Sequence, residues 1–198
     1  MPKKLILFRH AKSDWTSGAA SDHARPLARR GMEAARVMGK FLMSAGEVPE
    51  QILCSSAVRA VATTQLAAKA GGWIIPVDFR DSLYLPETGS VIEEIRKAPD
   101  KLSSLMLVGH EPTWSELISE LIGGGEIRFP TAAMARINFD TDRWEKVRRG
   151  RGRLAWLVKP KPPARTQGVL LPPMSHSRAV TPPQLQRCVF RRATSPVR

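Results

Sequence analysis

A chain of 198 residues with 42% apolar side chains is long enough for one domain with a substantial core and too short for two comfortable ones. No apolar run approaches the length that spans a bilayer, and residues 5–8 are too short a run for a signal peptide, so the cytoplasm is the expected compartment. The net charge of +13 raises the possibility of an acidic partner, while Cys54 and Cys188, far apart in the chain, suggest neither a disulfide framework nor a metal cluster.

Residues 3–8 read as a short strand buried on both faces, an apolar run that ends at a polar turn. A helix is predicted over 27–45, where Leu27, Met32, Ala35, Val37, Met38, Phe41 and Leu42 recur near helical spacing and Gly46 follows as a stop. Residues 51–54 form a second strand, and Ser55 or Ser56 can cap a helix over 57–69 that ends at Gly71 and Gly72. A third strand is predicted over 73–79, a helix over 90–97, a strand over 104–108 and a helix over 112–122 with Pro112 in its first turn. Beyond three consecutive glycines, strands are predicted over 126–129, 134–139 and 154–159, with residues 143–153 as a charged, hairpin-like surface loop. Alternating strands and helices imply a three-layer αβα sandwich with a mostly parallel central sheet, spanning residues 1–159. Residues 160–198 carry seven Lys/Arg and no Asp/Glu, lose all periodicity and read as a disordered basic tail. The remainder then holds 24 basic against 18 acidic residues, or +6. No basic helix interleaved with aromatics appears, so nucleic acid is not the expected partner.

Three points in the chain share one local pattern, a buried strand that ends in a polar turn before a helix. They are Phe8-Arg9-His10-Ala11-Lys12-Ser13, Cys54-Ser55-Ser56-Ala57-Val58-Arg59 and Val108-Gly109-His110-Glu111-Pro112. Ligands of open α/β sheets bind beyond the carboxyl ends of the strands, so these turns should meet on one rim. What meets there is two arginines and two histidines, with no carboxylate expected among them. Such a cluster needs an anion, and helix starts favour one too. A phosphoryl group fits: arginine grips its oxygens with a planar fork of donors, and a neutral imidazole can attack the phosphorus. No metal-ligand spacing is present and no cofactor is expected, so charge stabilisation falls to protein groups.

Arg9-His10-Ala11, together with Leu27-Ala28-Arg29-Arg30-Gly31, the Ser55 to Ala60 run and Val108-Gly109-His110-Glu111-Pro112, resembles the motifs of the histidine phosphatase, or phosphoglycerate mutase-like, superfamily in their family order. The compact size and the Gly-His-Glu-Pro run are most similar to the SixA-type phosphohistidine phosphatases. The resemblance implies that His10 is the nucleophile and that Arg9, Arg59 and His110 hold the phosphoryl oxygens, with Ser13 as a further phosphate contact. Relatives that cleave phosphate esters use a carboxyl to protonate the leaving oxygen; Glu87 lies in about the right region, and Glu111 is a second candidate. Ala11 stands where the family usually has Gly, which raises a question of backbone freedom at the turn. An imidazole leaving group, with a reference pKa of about 6.5, departs with less acid help than an alkoxide, which points to phosphohistidine in a protein as substrate. The competing readings are a small-molecule phosphate ester or anhydride phosphatase, a basic nucleic-acid-binding module and a catalytically silent phosphoprotein-binding domain. His23 and His176 are expected at the surface, and Trp15 and Trp114 as wall or core residues.

Overall fold

The computed structural model describes residues 2–160; the basic tail expected to be disordered, with His176 and Cys188, lies outside the described residues. Within them the chain runs β1 (Lys3–Arg9), α1 (Arg29–Ser44), β2 (Gln51–Ser55), α2 (Val58–Gly71), β3 (Val77–Arg80), α3 (Thr88–Arg96), β4 (Ser104–Gly109), α4 (Thr113–Ile122), β5 (Met134–Phe139) and β6 (Gly152–Val158). One six-stranded sheet has the order β3-β2-β4-β1-β5-β6. The first four strands are parallel, and β5 and β6 add antiparallel pairs at one edge.

The continuous apolar runs of the parallel strands follow from burial on both faces. Successive side chains of a strand point to opposite sides. Leu5 and Leu7 of β1, with Leu53, Leu105 and Leu107, therefore join α3 and α4 in one core that includes Ile92, Ile95, Trp114 and Leu117. Ile6 and Phe8, with Ile52, Cys54, Met106 and Val108, join α1 and α2 in the other, which holds Ala35, Met38, Leu42, Ala60 and Ala67. The expected αβα sandwich is the observed one.

Three local expectations change. The strand expected over 73–79 shortens to Val77–Arg80, because Trp73 turns into the core against α2 and Ile74 points to solvent. Residues 126–129 form no strand: Phe129 is buried in the core and its carbonyl accepts from the Arg9 side chain instead of a ladder partner. The charged loop expected over 143–153 ends where β6 starts at Gly152, and it is anchored by Trp144, which is fully buried and donates its indole N–H to the Leu102 carbonyl (2.9 Å).

Candidate active site

Strand register brings the three turns together. Phe8 lies beside Val108 on one side of β4 and Cys54 beside Val108 on the other, so β1, β2 and β4 release their turns at one level of the sheet. The His10 N–H donates to the Gly109 carbonyl (3.0 Å) and the His10 carbonyl accepts from the Ala132 N–H (3.2 Å), which clamps the His10 backbone between β4 and the entry to β5. Ala11 is buried, and its N–H donates to Thr63 Oγ1 of α2 (3.0 Å). Among described non-glycine residues only Leu85 and Ala132 take a positive φ, so Ala in place of Gly at position 11 brings no left-handed strain.

The His10 ring is 8% exposed, and its Nδ1 lies 2.8 Å from the Ala11 carbonyl. A carbonyl only accepts, so Nδ1 carries the proton and Nε2 keeps its lone pair. Burial pulls the His10 pKa down to about 4; the Ala11 bond opposes this, and Arg59, Arg9 and Arg25 add to it. His10 is therefore uncharged at neutral pH, with an unprotonated Nε2 in a basic pocket. The Arg59 Nε–H donates to His10 Nε2 at 3.3 Å.

His110 follows β4 as His10 follows β1, and the two ring centroids are 4.9 Å apart. Its Nε2 pairs with Ser55 Oγ at 2.8 Å, and Ser55 Oγ also accepts the Ala57 N–H. With that bond received, the Ser55 proton can go to His110 Nε2, which leaves Nδ1–H as the free donor. Burial, then His10 and Arg59, lower the His110 pKa to about 3, with Asp22 opposing.

Residues that the sequence did not single out complete the site. Asp22 accepts from Arg59 at both its carbonyl (2.6 Å) and Oδ2 (2.9 Å), from the Tyr84 hydroxyl (2.9 Å) and from Arg25. Arg25 is buried, stacks on exposed Trp15 with its guanidinium carbon 3.5 Å from the ring centroid, and donates to Ser13 Oγ (2.9 Å). Ser13 thus lines the cavity while holding Arg25. The expectation of a rim without carboxylates is corrected, since Asp22 and Glu111 both face the cavity. Glu87 is exposed at the N-cap of α3 and does not line it. His23 is half-buried rather than at the surface, bonded to Ser56 Oγ and edge-on to Tyr84. Trp114 is fully buried and donates to the Phe8 carbonyl (3.0 Å). The one available signal for Asp22 and Arg25 was loop length: the connection from Arg9 to Arg29 far exceeds the ~4–6 residues usual between elements, and long loops tend to be functional.

The cavity measures about 280 Å³ and is lined by four basic side chains, Arg9, Lys12, Arg25 and Arg59, against two acidic ones. Seven buried side-chain polar atoms lack a partner among the described residues, and four of them belong to this lining: Arg9 Nε, Arg25 Nε, His110 Nδ1 and Glu111 Oε1. Buried polar groups are normally paired. Leftover donors around one small cavity, Arg9 Nε and Arg25 Nε with His110 Nδ1 when it carries the proton, are chemically suited to a multi-oxygen anion.

The family model described as histidine phosphatase superfamily (branch 1) matches residues 5–84, the span that holds His10 and Arg59. The chain belongs to the histidine phosphatase superfamily. This histidine phosphatase is 38% identical over 138 residues to an uncharacterized protein of Mycobacterium tuberculosis, covering 65% of the chain and 84% of the relative. Phosphohistidine phosphatase SixA of Escherichia coli is 25% identical over 172 residues, 79% of this chain and 94% of that one. Among solved structures, the SixA-type protein of Agrobacterium tumefaciens superposes with a TM-score of 0.68 at 27% identity, covering 81% of this chain and 99% of that chain. The histidine phosphatase is a hydrolase of phosphorylated substrates, with the phosphoglycerate mutase-like fold. No helix among its described residues is long and apolar enough to cross a membrane.

Proposed function

We propose that the protein removes phosphoryl groups from phosphohistidine in proteins, by way of a phosphoryl group carried on His10. The observation that carries the mechanism is the fixed tautomer of His10: Nδ1–H is tied to the Ala11 carbonyl, and Nε2 offers its lone pair beside Arg59. In the first half-reaction Nε2 attacks phosphorus and the leaving nitrogen of the substrate departs with the bonding pair. Arg9, Arg59 and His110 take the phosphoryl oxygens, and their charge and N–H groups answer the charge that develops there. In the second half-reaction water attacks phospho-His10, phosphate forms, and the electron pair returns to Nε2. The bond to Ala11 keeps Nδ1 protonated throughout, so His10 leaves as a neutral imidazole.

The substrate class is supported by the shape of the site. A cavity of about 280 Å³ falls just below the range of small-molecule sites, about 300–1,000 Å³, with room for a phosphoryl group and the start of a side chain. Its lining includes Trp15 and Leu85, which are 71% and 52% exposed, so the mouth offers apolar contact to a larger surface rather than a deep pocket for a sugar. The likeness to SixA adds to this reading.

The test is phosphate release from a phosphohistidine-bearing protein, a sugar phosphate and an aryl phosphate, with wild type beside His10→Ala. We expect the highest kcat/KM on the phosphohistidine protein, an acid-labile, base-stable label on wild type alone, and loss of turnover in His10→Ala. A clear preference for the sugar phosphate would reject the substrate assignment, and full turnover in His10→Ala would reject the mechanism.

A further inference from the structure

A carboxylate beside an anion site works against binding, because it repels the oxygens that the arginines attract. Asp22 lines the cavity all the same, and each of its three oxygens is in use. The carbonyl accepts from Arg59 Nη1 (2.6 Å), Oδ1 from Arg25 Nη2, and Oδ2 from both Arg59 Nη2 and the Tyr84 hydroxyl, each at 2.9 Å. The carboxyl is kept below its ordinary range: burial works against this, but the Tyr84 hydroxyl, then Arg59 and Arg25, outweigh it. Asp22 is therefore ionised at neutral pH and only accepts.

The two guanidiniums show what these bonds achieve. Arg59 gives both terminal nitrogens to Asp22 and aims Nε–H at His10 Nε2, 3.3 Å away. Arg25 gives its terminal nitrogens to Ser13 Oγ (2.9 Å) and Asp22, and its Nε is buried without a partner. Both side chains line the cavity, at 3% and 8% exposure, so water screens neither charge. Two buried guanidiniums this close repel one another unless a negative charge lies between them. We propose that Asp22 is a positioning residue that acts through Arg59 and Arg25, taking their terminal N–H groups so that the Nε edge of each is presented to the phosphoryl group. The proposal rests on the reading of His10 as nucleophile. A phosphorus atom that bonds to His10 Nε2 then brings its oxygens to Arg59 Nε–H without a turn of that side chain. The Asp22 charge stays in place through both half-reactions and opposes retention of the phosphate once the N–P bond has broken.

The experiment reads two quantities in wild type and Asp22→Asn. One is the rate at which dinitrophenyl phosphate, whose leaving oxygen needs no proton, labels His10; the other is the inhibition constant of inorganic phosphate. In Asp22→Asn we expect labelling to slow about 100-fold, the scale set by a catalytic group displaced by about 1 Å. Phosphate should bind about tenfold tighter, because a negative charge has left the cavity and the released N–H groups can turn to the anion. In an Arg59→Ala background the same substitution should slow labelling far less, since groups that act as one unit are not additive. A residue that only supported the fold would slow labelling and weaken phosphate binding together. Should Asp22→Asn fail to fold, Asp22→Glu carries the test: it keeps the charge but shifts it by one methylene, so labelling slows while phosphate affinity stays near that of wild type. Weaker phosphate binding in either variant, labelling at the wild-type rate, or equal losses in the two backgrounds would overturn the proposal while leaving the His10 label on wild type intact. Absence of label on wild type would overturn the nucleophile assignment and this proposal with it.

Discussion

At His10 and His110 the fold keeps two imidazoles neutral in a basic pocket, and this has a consequence for stability. Burial holds their pKa values at about 4 and about 3, below the ordinary histidine value of about 6.5. Between those values the unfolded chain binds protons that the native chain does not, so stability falls as pH drops through this window. From pH 6.5 to pH 5 the loss for His10 alone comes to about 2 kcal/mol, from one and a half pKa units at about 1.36 kcal/mol each. We expect the wild-type melting temperature to decline from pH 7 to pH 5 more steeply than that of His10→Asn, by thermal melts in matched buffers at low phosphate. Parallel curves would mean that His10 titrates normally in the folded protein. Activity should follow the folded values: labelling of His10 by dinitrophenyl phosphate should hold from pH 7 down to about 5 and fall as His10 protonates near 4.

Among the elements, α1 does more than cover the sheet. A Cβ placed on Gly31 would meet the Lys12 carbonyl oxygen at 2.1 Å, so α1 packs against the backbone of the turn that carries His10. The Ala28 N–H donates to the same carbonyl (2.9 Å). Gly39, two turns further on, meets the Ala67 carbonyl of α2 as closely, at 2.1 Å. Because the obstructing atoms are backbone, an added methyl must separate whole elements, which costs about 1–3 kcal/mol or more. We expect Gly31→Ala and Gly39→Ala to destabilise by similar amounts in urea, and Gly31→Ala alone to lower kcat/KM by displacing the His10 turn. Equal activity in the two folded variants would show that the turn is positioned by other contacts. Much of this element plan was legible in the sequence: apolar runs at β1, β2 and β4, glycine stops, and turns that had to meet at one rim. The geometry of Asp22 and Arg25 was not, because residues 14–28 have no periodic pattern and gain their meaning only where the loop crosses Arg59 and Ser13. Glu111 was legible as a motif residue, but its contact with Ser115 needed the start of α4. Residues 73–76 misled because Trp73 and Ile74 have strand-like side chains that serve helix packing and solvent instead.

For the molecule as a whole, the described residues 2–160 hold the six-stranded sheet, its two cores and the cavity. Residues 161–198 supply seven positive charges and no negative ones, so a chain ending at Pro160 falls from +13 to +6. Charge of that size acts at long range on association rates with an acidic macromolecule, and hardly at all on the chemistry of a small ester already seated in the cavity. Removal of residues 161–198 should therefore leave the melting temperature and the kcat/KM for an aryl phosphate close to those of the full chain. Against a phosphohistidine protein of net negative charge, kcat/KM should fall at low salt, and the difference between the two chains should close as ionic strength rises toward 1 M, where the screening length is about 3 Å. A salt-independent difference would point to specific contacts made by the tail. An equal loss on aryl phosphate would mean instead that the tail contributes to the folded core.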